Sequence, residues 1–411
     1  MSIRIRNRFI ALVCLLVFLA GGILFYTNWV VQRPFAIILF LTDNLSPSTL
    51  TAARIYQGGA DHRLALEKFP HLGFLSSQAS DFAVSDTASA TTAIATGQKV
   101  NNGSMGMDPS GLPLVNLITL ARDHHRAVGL VSNAAVSDIT PGVFYGQGGD
   151  PHDSLAIAAQ LADTAPLDLI LGGGEADMLP EHKGGRRTDG RDLMLEMRQK
   201  GYDIVRNLSE LDNTPDWRTP RLLGIFAPGN LAFADEISEA SSQPTLAQMV
   251  QRAIQLLQFD RKGYFLVVDA SLVGKAAYQN AGERMIRELL ALDDAVARAR
   301  AYAGESALIL VAGKQSIGGM HLNGYPFRDD RGGAVGGINT QGIPSLTWAT
   351  GPGSRSPSDP SIPAHEPSAF SSSAAIGVAE DGIVVGAGPG SERLNGFHDN
   401  TEIFDVIVEG L

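Results

Sequence analysis

Several short apolar runs in this 411-residue chain stop at residues able to do chemistry. Phe35–Leu41 leads into Thr42 and Asp43, Val128–Val131 into Ser132, and Tyr264–Val268 into Asp269. Leu308–Val311 leads into Ala312 and Gly313, and Leu167–Leu171 into Gly172-Gly173-Gly174. Carboxylates and hydroxyls gathered from such positions can ligate a cation or accept a proton. The glycine run reads as a tight turn rather than a phosphate loop. The single cysteine, Cys14, lies in an apolar amino-terminal segment, so the body can form no internal disulfide.

Near-continuous apolar runs of this length predict strands buried on both faces. Helical patterns lie between them. In residues 281–303, Met285, Leu289, Leu292 and Val296 fall on one stripe. The alternation predicts an α/β fold, a mainly parallel sheet with helices on both faces. In such sheets sites lie beyond the carboxyl ends of the strands, where Asp43, Ser132 and Asp269 stand. Residues 34–411 read as one domain, with a Gly-, Pro- and Ser-rich insertion or cap over about 320–378.

Six segments resemble the alkaline phosphatase family, in that family's order. ILFLTDNLSPSTLTAARIY (38–56) is similar to its first strand and metal-binding turn, and SDTASATTAIATGQKVNNGSMGMD (85–108) to its nucleophile segment. DITPGVFY (138–145), DLILGGGEADMLP (168–180), KGYFLVVDAS (262–271) and VVGAGPGSERLNGFHDNTEIF (384–404) follow. The resemblance implies an alkaline phosphatase-like fold and a periplasmic or extracellular phosphomonoesterase. It also implies a serine nucleophile flanked by two zinc ions and one magnesium, and often a homodimer. Paired metals stabilise the attacking and leaving oxygens of phosphoryl transfer.

Carried onto this chain, the resemblance makes Asp43 the aspartate that bridges zinc and magnesium. Thr87 takes the nucleophile position as threonine, at the start of a helix whose amides favour an anion. Thr140 matches a magnesium-ligand hydroxyl, Asp138 an acidic or histidine position, and Asp269 a glutamate ligand shortened by one methylene. The zinc ligands are replaced. Gly274 and Tyr278 stand for an aspartate and a histidine of the first zinc, and Gly377 for its last histidine. Gly313 and Lys314 stand for the aspartate–histidine pair of the second zinc. The phosphate-gripping arginine is missing, with Pro151 near its place.

These replacements speak against the zinc pair and leave two readings of what remains. In one, Asp43, Asp138, Thr140 and Asp269 hold one magnesium. In the other, Asp269 bonds Thr140 and Asp43 caps a turn. Thr87 either attacks a substrate or belongs to the helix cap beside Asp86. Lys275 and Lys314 either form a metal-free anion pocket with Thr87 or are ion-paired side chains. Three functions follow: a pseudo-phosphatase binding a small anion or serving regulation, a hydrolase using Thr87 with altered ligation on phosphate or another ester, and a surface scaffold.

Net charge is −11, and residues 1–33 hold Arg4, Arg6, Arg8 and Arg33 with no acid, so the body carries −15. An acidic body disfavours nucleic acid. Phe9–Val31 is apolar over 23 residues, enough to cross a bilayer core of about 30 Å. The preceding arginines keep the amino end cytoplasmic and place the body in a periplasm or outside the cell. Secretion after cleavage near Ala20 is the alternative.

Overall fold

The computed structural model describes residues 3–25, 35–164, 167–216, 220–238, 241–323, 344–353 and 366–411. Its strands in chain order are β1 (Ala36–Thr42), β2 (His71–Ser76), β3 (Ala127–Ala135), β4 (Leu169–Gly173) and β5 (Asp203–Val205). Next come β6 (Leu222–Ile225), β7 (Tyr264–Asp269), β8 (Leu308–Gly313), β9 (Ser316–Ile317) and β10 (Met320–Leu322). β11 (Leu346–Gly351), β12 (Ser368–Ser371), β13 (Gly377–Val378), β14 (Gly382–Ala387) and β15 (Gly396–Asp399) complete the set.

β1 shows how the fold is built. Its seven residues are all buried, and alternate ones serve opposite faces. Ile38 and Phe40 join one core with Met285, Leu289, Leu292 and Val296 of the helix Gly282–Ala303. Ile37, Leu39 and Leu41 join the other, with Ile94, Ile118 and Ile403 from helices on the far side. The stripe expected at 285–296 is therefore the stripe that packs. Among the described residues, ten strands run in the order β15-β2-β14-β8-β1-β7-β3-β4-β6-β5. All neighbours are parallel except around β14, which pairs antiparallel with both β8 and β2.

The register sets the site. Leu41 pairs with Asp269, Thr42 with Gly313, and Ser132 with Asp269. The carboxyl ends of β1, β3, β7 and β8 are thus level, so the segments after them converge. The glycine run ends β4, with Gly174 at φ 100° opening the helix Glu175–Met178, a turn as expected.

Composition hid one feature of the 320–378 segment. Residues 324–343 and 354–365 lie outside the described residues, but the remainder carries strands. β10, β11 and β12 form a small sheet anchored by buried Leu346 and Trp348. The amino-terminal helix Ile3–Phe25 includes Arg4–Gly22, a stretch long and apolar enough to cross a membrane.

Candidate active site

The turns after β1 and β8, the end of β7 and three helices bring the candidate residues together. Asp43 follows β1 and is held there by Asn44, which adopts φ 55°. Asn44 donates from Nδ2 to Ile317 O at 2.7 Å, and its own N–H donates to Gln315 O at 2.8 Å. The Lys314 N–H donates to Thr42 O at 2.8 Å. The turn after β1 and the turn after β8 are thereby laced together, which fixes Asp43 beside Lys314.

Thr87 opens the helix Thr87–Thr96. Asp86 caps it, accepting from Ser89 N at 2.8 Å in a reciprocal capping box, and Gly97 in the left-handed region ends it. Asp138 caps the short helix Ile139–Val143, which carries Thr140. Asp269 ends β7, and the helix Leu272–Tyr278 follows with Gly274, Lys275 and Tyr278. Positions 274 and 278 share one helix face, the i, i+4 spacing that a ligand pair would need.

Asp43, Asp86, Thr87, Asp138, Thr140, Pro151, His152, Ser271, Lys275 and Tyr278 line one cavity of about 270 Å³. The sequence-derived residues Asp43, Thr87, Asp138, Thr140, Asp269, Lys275, Tyr278 and Lys314 therefore form one neighbourhood. Gly377 pairs with Ile317 behind Val84 and Ser85. A Cβ on Gly313 would face Leu45 and Gly382.

The two lysines lie differently from an anion-gripping pair. Lys314 is fully buried and is not among the cavity-lining residues. Its Nζ donates to Thr140 Oγ1 at 2.7 Å and lies 3.6 Å from both Asp43 Oδ1 and Asp269 Oδ1. The expectation that its charge faces a bound anion is corrected: two buried carboxylates attract it inward. Lys275 does line the cavity, but its Nζ lies 2.6 Å from Asp138 Oδ2. Asp138 is therefore ion-paired with Lys275 and caps its own helix. The expected Asp269–Thr140 bond is likewise replaced, since Lys314 stands between them.

Asp269 accepts from Ser132 Oγ at 2.7 Å and from Ser271 Oγ at 2.7 and 2.8 Å. Burial pushes the carboxyls of Asp43 and Asp269 up, and the Lys314 ammonium only partly offsets this. Burial alone would lower Lys314, but the surrounding carboxylates outweigh it and hold the amine above its ordinary value. Two buried acids thus share one persistent ammonium, so the surplus carboxyl is the one that resists ionisation.

Sequence reasoning missed Gln315. Its Nε2 donates to Thr87 Oγ1 at 2.7 Å, and the Tyr278 hydroxyl interacts with the same pair. It also gave Ser132 no role. The signal was present, since Ser132 ends its run in register with Asp269.

The site does not fit the family's metals. Magnesium takes oxygens at about 2.0–2.1 Å in near-octahedral geometry. The position shared by Asp43, Asp269 and Thr140 is filled by Lys314 Nζ. At Gly274, which the resemblance sets at a first-zinc ligand position, a Cβ would stand 2.2 Å from Asp43 Oδ2. Asp43 thus occupies the space a ligand side chain would need. Among the described residues, no group of three or more His, Cys, Asp and Glu is arranged to hold a metal.

Comparison with known proteins agrees with the fold. The alkaline phosphatase family model matches residues 36–411. Alkaline phosphatase H of Pseudomonas aeruginosa is 31% identical over 327 residues, spanning 67% of this chain and 68% of that protein. The tissue-nonspecific alkaline phosphatase of Felis catus is 26% identical, covering 90% and 82%. Among solved structures, Thermus thermophilus alkaline phosphatase superposes with a TM-score of 0.75 at 23% identity, covering 93% of this chain and 92% of its own. The enzyme of the Antarctic bacterium TAB5 gives 0.74 at 21%, covering 92% and 98%. With its family model spanning β1 to the carboxyl terminus and the same fold in these enzymes, this chain belongs to the alkaline phosphatase family.

Proposed function

We propose that this protein is a membrane-anchored pseudo-phosphatase, with the phosphatase fold retained for anion binding or regulation rather than hydrolysis. The observation that carries this reading is at Gly274. With no side chain there, Asp43 has taken the space of the first-zinc ligand, and Tyr278 one turn on offers a phenol to Thr87 instead of an imidazole to a metal. Thr87 Oγ1 accepts from Gln315, and with glycine, tyrosine and lysine at the positions of zinc ligands no paired cations would be held to activate it or stabilise the leaving oxygen.

A small anion or ester is the proposed ligand. It would meet Thr87 at the helix N-terminus and draw Lys275 from Asp138, an exchange made feasible by their partial exposure. The amino-terminal helix supports an anchor that leaves the body in the periplasm. A homodimer belongs to the same proposal, with exposed Leu72, Phe74 and Phe397 as apolar surface at the β15 edge.

The test is hydrolysis of an aryl phosphate by the full chain in detergent, with added zinc and magnesium, beside an identically purified Thr87→Ala protein. Equal background rates support the reading. Turnover that disappears with Thr87 contradicts it and would favour a hydrolase with altered ligation.

A further inference from the structure

We propose that Lys314 is a tethered cation that keeps a divalent-metal cradle closed. This inference deepens the pseudo-phosphatase reading and rests on it for its meaning, but it stands or falls on different measurements.

Three oxygen donors of the cradle are in place. Asp43 comes from the turn after β1, Asp269 from the end of β7 and Thr140 from a short helix, and all three are buried. Their oxygens converge on one point, and that point is Lys314 Nζ. Asp43 Oδ1 is buried and accepts no hydrogen bond, its nearest positive group being this ammonium at 3.6 Å. Asp269 is aimed by two hydroxyls, Ser132 and Ser271, an arrangement that orients a carboxylate toward a cation.

An all-oxygen donor set of two carboxylates and a hydroxyl suits a hard divalent ion. One ammonium supplies a single positive charge, at hydrogen-bond distance from Thr140 and at 3.6 Å from each carboxylate. A magnesium ion would supply two, at distances roughly 1.5 Å shorter than the carboxylate contacts seen here. Lys314 is covalently part of the chain, so its local concentration is fixed and free metal competes at a disadvantage. Removing the side chain would leave two uncompensated buried carboxylates and a vacant volume between them, which is the condition for capturing a divalent ion.

Thermal unfolding of the full chain, titrated with magnesium chloride against sodium chloride of equal ionic strength, tests this. The wild-type protein should show no magnesium-specific shift. Lys314→Ala should gain a saturable rise in Tm of several degrees, reversed by EDTA and lost when Asp269→Asn is added. Lys314→Arg, which keeps a cation, should stay unresponsive. A saturable magnesium shift in wild type, or a folded Lys314→Ala protein that ignores magnesium, overturns the proposal. If Lys314→Ala does not fold without metal, refolding in magnesium should recover it, and a yield independent of magnesium overturns the proposal equally. Thr87-dependent hydrolysis without a magnesium response in wild type would remove the pseudo-phosphatase reading while leaving the closed cradle in place.

Discussion

Two lysine–aspartate pairs lie within one site, and their surroundings make them opposite devices. Lys314 is 0% exposed and serves Asp43 and Asp269, which are 3% and 0% exposed. Lys275 and Asp138 have side chains 33% and 21% exposed and meet at the cavity wall. The buried cluster cannot trade its partners for water, so it is fixed structure. The wall pair can, so it is available to a ligand. The difference teaches that a lysine in such a site is not by itself an anion receptor; depth decides whether the charge is spent inside the protein or offered outside it.

Breaking the buried cluster should have the largest effect. Lys314→Met is expected to destabilise by about 3–5 kcal/mol in chemical denaturation, because two buried carboxylates lose their ammonium. The deficit should shrink as pH falls and those carboxyls take up protons. A variant as stable as wild type at pH 8 would place the cluster with the solvent-screened pairs.

Refilling the space at Gly274 comes next. Gly274→Ala pushes a Cβ against Asp43 Oδ2 and should cost about 1–3 kcal/mol by overpacking. The same substitution should weaken the Asp43–Lys314 contact, so it and Lys314→Met should be non-additive in a double-mutant cycle.

Glu288 sharpens the comparison by showing a buried acid held by neutral donors. It accepts from Ala234 N and, at 3.3 Å, from Asn133 Nδ2, and burial pushes its carboxyl up to about 7. The folded state then holds a proton that the unfolded chain releases near 4.5. Stability contributed at low pH is therefore lost as pH rises from about 4.5 to about 7, then levels off. Glu288→Gln should flatten that part of the profile, by roughly 3 kcal/mol. An unchanged slope would assign it to other groups.

The wall pair should give the smallest stability change. Lys275→Ala is expected to cost under about 1 kcal/mol. It should abolish any rise in Tm produced by inorganic phosphate, since a ligand that binds only the native state stabilises it. A phosphate response that survives without Lys275 would move the anion elsewhere.

Much of this organisation was legible in the residues. The apolar runs ending at Leu41, Val131, Val268 and Val311 became β1, β3, β7 and β8, because strands buried on both faces leave little choice of residue. Their shared carboxyl-end level brought Asp43, Thr140, Asp269 and Lys314 together. The strands of the 320–378 segment were hidden by Gly, Pro and Ser, since Leu346 and Trp348 are few among many turn formers. The direction of Lys314 was also hidden. Its bond to Thr140 spans 174 residues, and no local pattern records which of several acids a long side chain will reach. Gln315 escaped for a related reason: its partner is Thr87, 228 residues away.

The most direct test of the central claim is elemental analysis of the full chain, purified after equilibration with zinc and magnesium and then freed of unbound metal. With Lys314 in the cradle and Asp43 in the Gly274 space, the account predicts far less than one equivalent of either metal per chain. One or more tightly held equivalents of zinc or magnesium in the wild-type protein would contradict it.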